Sequence, residues 1–185
     1  MNNKALLEAV DKFGTPLYIY DSNMIKSQYN RLKQSFKDVK SLQINYAVKA
    51  LSNISILKYM INMGSGIDAV SIQEVKLALK AGVNPKKILY TPNGVSIEEI
   101  KEVSELGVSI NIDNLEVLEQ FGNLNPDVPV CIRINPHIMA GGNSKISVGH
   151  IDSKFGISIH QTPHILRIVE NTKIIINGVH MHTGS

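Results

Sequence analysis

At 185 residues, with a net charge of +3, 43% apolar and 19% charged residues, the sequence has the makeup of one globular domain able to bury a sizeable core. Basic residues are scattered and aromatic residues amount to only 5%, which leaves a stacking nucleic-acid platform with a basic stripe unsupported. Cys131 is the single cysteine, so a disulfide framework or cysteine zinc cluster within one chain is excluded; with no signal-type apolar start and no apolar run of about 18 residues, a reducing cytoplasm is the expectation.

In chain order, Leu17 to Tyr20 reads as a strand, and Asp21 or Ser22 caps a helix continuing through Met24, Ile25, Tyr29 and Leu32. Leu42 to Val48 reads as a second strand, after which Asn53 opens a helix with Ile54, Leu57, Met60 and Ile61 at helical spacing. Ile67 to Val70 precedes a helix with Ser71 and Glu74 at capping-box spacing and Ala81-Gly82 at its end. The strand Lys87 to Tyr90 leads through the turn Thr91-Pro92-Asn93-Gly94 to a helix from Ser96 to about Leu106. Val108 to Ile112, a helix capped by Asn114, and a strand from Val130 to Ile134 repeat the cycle. Asn135 to Phe155 has no sustained periodicity and is a loop too long to be merely connective. A helix from Thr162-Pro163 to about Val169 and a strand from Ile174 to Met181 close the series. About six strands after the lead-in, alternating with helices, predict a parallel sheet covered by helices, either open and doubly wound or part of an eight-stranded barrel; pattern alone does not choose.

Several residues stand out chemically. Lys49 ends the run Asn45-Tyr46-Ala47-Val48-Lys49-Ala50, on what reads as a buried strand, where burial favours the neutral amine needed for a Schiff base; the alternative is a strand-end lysine reaching water. Asp68 falls inside a strand and needs a hydrogen-bond donor or a cation as partner. The glycines of Gly64-Ser65-Gly66 precede their strand instead of following it, which argues against a Rossmann dinucleotide site. Arg133, near the end of an apolar strand, is placed either to bind an acidic group in the sheet crevice or to pair with a carboxylate. In His180-Met181-His182, period-two alternation puts both histidines on the face opposite Val179 and Met181. No carboxylate or cysteine accompanies them in sequence, so no metal is expected; Gly184-Ser185 suits phosphate binding, with a histidine ring available for stacking.

Five motifs occur in register: Tyr-Ala-Val-Lys-Ala at 46–50, Gly-x-Gly-x-Asp-x-x-Ser-x-x-Glu at 64–74, Arg-Ile-Asn-Pro at 133–136, Ser-Lys-Phe-Gly at 153–156 and His-x-His-x-Gly-Ser at 180–185. Together they resemble the pyridoxal-phosphate-dependent ornithine/diaminopimelate/arginine decarboxylase family from about Thr15 to Ser185, and the stretch Arg133 to Phe155 is more similar to its diaminopimelate branch. The resemblance implies an alanine-racemase-like (β/α)8 TIM barrel, here incomplete at about six strands. Residues 1–20 would be a lead-in whose strand joins a C-terminal β-domain missing from the sequence, and residues 21–185 a partial cofactor-binding barrel.

By the same resemblance the cofactor is pyridoxal 5'-phosphate. Lys49 matches its Schiff-base lysine, His182 the histidine stacked on its ring, Ser185 the serine near its phosphate, Arg133 a neighbouring arginine, and Asp68 with Glu74 an acidic pair. Leu51 departs from the asparagine common after the Lys-Ala pair. The implied activity is decarboxylation of meso-diaminopimelate to L-lysine by a cytoplasmic homodimer, expected in full only from the complete chain. The alternatives are a decarboxylase for ornithine, arginine or a carboxylated polyamine, and a non-catalytic cofactor-binding homologue.

Overall fold

A computed structural model describes residues 3–138 and 155–182. Most of the long loop, and Ser185, lie outside the described residues. The chain divides into two compact units, one up to Ile44 and one from Asn45 onward, so the first helix after the lead-in belongs with the N-terminal unit. That unit holds α1 (Asn3–Phe13) and α2 (Ser22–Ser35). Asp21 caps α2 as expected, its Oδ1 accepting from Asn23 N–H at 2.9 Å. Leu17 to Tyr20 forms no strand here; Tyr18 is 88% exposed.

The second unit carries β1 (Asn45–Ala47), α3 (Ile54–Asn62), β2 (Gly66–Ala69), α4 (Ile72–Lys80), β3 (Ile88–Tyr90), α5 (Ile97–Glu105), β4 (Ser109–Ile112), α6 (Leu115–Leu124), β5 (Val130–Asn135), β6 (Ile157–Ser158), α7 (Thr162–Thr172) and β7 (Ile176–His180). All pairings are parallel. The strands β1 to β5 are adjacent in chain order, β7 continues the row beside β5, and two-residue β6 pairs only with the end of β5. A doubly wound sheet reverses its strand order at a switch point; this one does not, which is the order of a barrel wall.

Local signals explain the boundaries. Asn53, Ser71, Ser96 and Asn114 each cap a helix through a side-chain oxygen, and Gly82, at φ +96°, takes the left-handed conformation that ends the α4 segment. At α4 the sequence spacing suggests a reciprocal capping box. Instead, Ser71 Oγ accepts from Glu74 N–H at 3.3 Å while Glu74 Oε2 accepts from Val70 N–H at 2.8 Å, one residue before the cap. Glu74 thus secures the β2–α4 turn and is not among the residues that line the cavity described below. α7 runs three residues past the expected end at Val169, and β1 is shorter than the predicted Leu42 to Val48 because Val48 turns into a short 3-10 helix whose side chain is fully buried.

Parallel neighbouring strands joined through helices call for crossovers, which as a rule are right-handed and put successive helices on one side of the sheet; neighbouring helices α3 to α7 pack in sequence. The core lies between: Ile67, Ile88, Ile110 and Ile112 from the strands meet Leu57, Val75, Ile100, Leu118 and Phe121 from the helices, all essentially inaccessible. Each such side chain contributes roughly 1.5–3 kcal/mol by burial. Tyr90 reaches through this layer to donate its hydroxyl to Glu99 Oε1 at 2.7 Å, and the same oxygen accepts from Ile72 N–H at 3.1 Å. One carboxylate therefore ties β3, α5 and the start of α4 together, and burial with Glu99 alongside pushes the phenol strongly up.

Candidate active site

The opposite face of the sheet is polar. Register aligns Ala47 with Asp68, Asn111 with Cys131, Cys131 with Gly178, and Arg133 with His180, so these residues share a side. At the C-terminal strand ends this face opens on a cavity of about 480 Å³ lined by Ala47, Lys49, Asp68, Val70, Thr91, Asn93, Arg133, Phe155, His180 and His182. Its volume falls within the range of small-molecule sites, and its position is where barrel enzymes place their chemistry.

Lys49 is exposed, on the 3-10 turn just after β1, so the expectation of a lysine buried on a strand is corrected: the chain leaves the ladder at Ala47, Val48 takes the buried position and Lys49 faces the opening. Among the described residues no carboxylate lies within ion-pair distance of its amine. Asp68 does have the partner its strand position calls for, a hydroxyl and not a cation: Thr91 Oγ1 donates to Asp68 Oδ1 at 2.5 Å. The next loop residue but one repeats the device, Asn93 Nδ2 donating to Asp113 Oδ2 at 2.6 Å.

Arg133 is half-buried with its guanidinium 4.8 Å from the Phe155 ring centre, a cation–π contact. Burial lowers its pKa, against the pull of Asp113 and Asp68. Phe155 is brought there by Gly156, at φ +82°, where a Cβ would stand 3.0 Å from Asn135 N and 3.2 Å from Arg133 O. His180 and His182 both line the cavity, while Val179 and Met181 between and beside them are exposed, as the alternation predicts. Burial first, then Arg133, holds both imidazoles below their ordinary pKa; Lys49 adds to this at His182, His182 itself adds to it at His180, and Asp68 opposes it at His180. Among the described residues no three histidine, cysteine or acidic side chains are grouped to hold a metal ion.

Lys49, Asp68, Arg133 and His182 thus converge, and Ser185 lies outside the described residues. Sequence reasoning missed Thr91, Asn93 and Asn111. Asn111, 1% exposed, approaches His180 Nδ1 through its Nδ2 at 2.7 Å, and its one trace in the sequence is a polar residue between Ile110 and Ile112. The described site combines an exposed amine, a fixed guanidinium and two imidazoles biased to neutrality, a set able to carry a carbonyl cofactor and hold anionic groups.

The sequence model of the pyridoxal binding domain of pyridoxal-dependent decarboxylases matches residues 22–185. The chain belongs to this family. Its cofactor is accordingly pyridoxal phosphate. Among family members, diaminopimelate decarboxylase of Methanothermobacter thermautotrophicus is 35% identical over 97% of this chain and 42% of its own length. That of Campylobacter jejuni is 39% identical over 94% and 44%. A crystal structure of diaminopimelate decarboxylase from Helicobacter pylori complexed with L-lysine superposes with a TM-score of 0.85 at 34% identity, covering all of this chain and 47% of that one. The partial (β/α) barrel of the pyridoxal-dependent decarboxylases is therefore the fold, and the chain spans about two fifths of the length of the curated relatives it matches.

Proposed function

We propose that this chain is the cofactor-holding part of a pyridoxal 5'-phosphate-dependent enzyme that decarboxylates meso-diaminopimelate to L-lysine. The observation carrying this reading is the convergence of Lys49, Asp68, Arg133 and His182 on one cavity at the strand ends. The likeness to diaminopimelate decarboxylases supports the substrate. The residues present fit the group: an amine unpaired among the described residues, at the mouth of a cavity of suitable volume, with imidazoles alongside.

Lys49 would hold the cofactor through Nζ, His182 would lie against its ring, Ser185 would contact its phosphate, and Asp68 with Arg133 would set the polar rim. When bound, pyridoxal phosphate supplies the electron sink for the pair left behind as carbon dioxide departs. Because Lys49 sits on a turn outside the strand ladder, its amine has room to move between a holding and a released position, and once released it can take up or give a proton at Nζ. A neutral His182 packs against a flat ring without trapping the anionic ligand beside it. Thr91 fixes Asp68, and Phe155 fixes Arg133, before any ligand arrives, so little reorganisation accompanies binding.

In the complete protein the resemblance further supports a cytoplasmic homodimer and a Leu17–Tyr20 strand joining a β-domain; sedimentation at monomer mass would remove the first. The central test is carbon dioxide release from meso-diaminopimelate by the full-length protein with pyridoxal phosphate. Release that disappears in Lys49→Ala is expected. Release only from ornithine, arginine or a carboxylated polyamine, or cofactor binding without release from any amino acid, would overturn the assignment.

A further inference from the structure

Asn111 has no place in the helix-facing core and is not at the cavity wall, yet it is almost fully buried between Ile110 and Ile112. Among the described residues its Oδ1 has no hydrogen-bond partner, a cost of about 1–3 kcal/mol that an apolar residue of similar size would avoid. What the side chain does is reach from β4 past β5 to His180 on β7. We infer that Asn111 is a positioning residue that holds His180 as the neutral imidazole with its proton on Nε2, making His180 a hydrogen-bond donor to the ligand in the cavity. The inference rests on the reading above that the cavity binds a ligand.

The chemistry is restrictive. An amide nitrogen only donates, so the 2.7 Å approach of Asn111 Nδ2 requires a lone pair on His180 Nδ1 and leaves the ring proton on Nε2, at the edge not engaged by Asn111. Protonating the ring would turn this contact into two opposed donors. The other groups facing His180 are Arg133 from β5 and His182, which disfavour the cation, and Asp68 from β2, which favours it; burial is the largest influence and disfavours it. The formal charges of Lys49 and Arg133 around the site are matched by Asp68 and Asp113. A neutral donor orients an anionic ligand without adding a further positive charge that would hold a departing carboxylate in its ionised form.

The test is side-chain nitrogen NMR of the full-length protein without cofactor, with His180 assigned by the His180→Gln variant. The expected result at about pH 7 and above is a neutral ring protonated on Nε2. A ring protonated on Nδ1, a rapid mixture of both tautomers, or an imidazolium above pH 7 would overturn the inference. Replacing the donor by an acceptor sharpens it: Asn111→Asp should place a proton on Nδ1 and move the His180 titration upward, and unchanged nitrogen shifts in that variant would also overturn it. Titrating the cofactor-free protein with pyridoxal phosphate should then move the Nε2 resonance, and an unmoved resonance at saturation would overturn the donor role. Failure of carbon dioxide release with a retained Nε2 tautomer would count against the proposed reaction alone.

Discussion

The two faces of the same parallel sheet obey different rules. On the helix side, Ile67, Ile88, Ile110 and Ile112 are interchangeable in kind: each is apolar, essentially inaccessible and held by packing alone. On the cavity side Asp68, Asn111, Arg133 and His180 are individually engaged, by Thr91, His180, Phe155 and Asn111. The first face stabilises by area removed from water, so it tolerates conservative exchange and resists deletion. The second contributes little by area and depends on donors and acceptors matching, so small chemical changes there should alter the site before they alter the fold.

That contrast can be broken most forcefully at Phe121, fully buried on α6. Phe121→Ala should cost about 3–5 kcal/mol in denaturant unfolding of the full-length protein. A cost below about 1 kcal/mol would show that the helix layer is not the main support. On the other face Thr91→Val keeps the volume and removes the donor to Asp68, with an expected loss of about 1–3 kcal/mol and weaker pyridoxal phosphate binding in an absorbance titration; unchanged binding would mean that Asp68 is not held for the site. Gly156→Ala combines positive φ with a Cβ close to the β5 backbone, and should cost on the order of 1 kcal/mol while displacing Phe155 from Arg133. Wild-type cofactor affinity in that variant would contradict the role given to this glycine.

Acid should act through the histidines. His180 and His182 both have folded pKa values below the ordinary 6.5, so the unfolded chain takes up protons first as pH falls. The stability they confer is complete above about pH 6.5 and is lost progressively below it, until the folded values are reached. Thermal unfolding of the His180→Gln variant should show a shallower decline over this window than wild type, and an identical slope would contradict the shift at His180. The smallest effect is expected on the outer surface, where Lys76 and Glu102 pair at 2.8 Å but are more than half exposed; Lys76→Ala should cost at most about 1 kcal/mol, and less in high salt.

The helix side was largely legible in the sequence because packing writes itself as periodicity. Asn53, Ser71, Ser96 and Asn114 announced their helices, and the apolar runs placed β2 to β5 within a residue or two. β6 was not legible, since two residues cannot show a period, and Leu17 to Tyr20 looked like a strand because strand propensity says nothing of a pairing partner. At the site, residue type and motif spacing singled out Lys49, Asp68, Arg133 and His182, which line one cavity, but not what each touches. Lys49 was expected buried because Val48 and Lys49 read as one strand; one residue's change of backbone direction separated a core position from a solvent-facing one. Thr91, Asn93 and Asn111 carry no motif, and their partners lie 20 to 69 residues away in sequence, a separation that only register resolves.

On the proposed function, the polar face is built around Lys49 as the cofactor-bearing amine. The direct measurement is borohydride reduction of the full-length protein with pyridoxal phosphate, followed by mass spectrometry of its peptides. A single stoichiometric adduct on Lys49, absent from the Lys49→Ala variant, is the predicted result. Labelling spread over several lysines, or concentrated on another one, would contradict it.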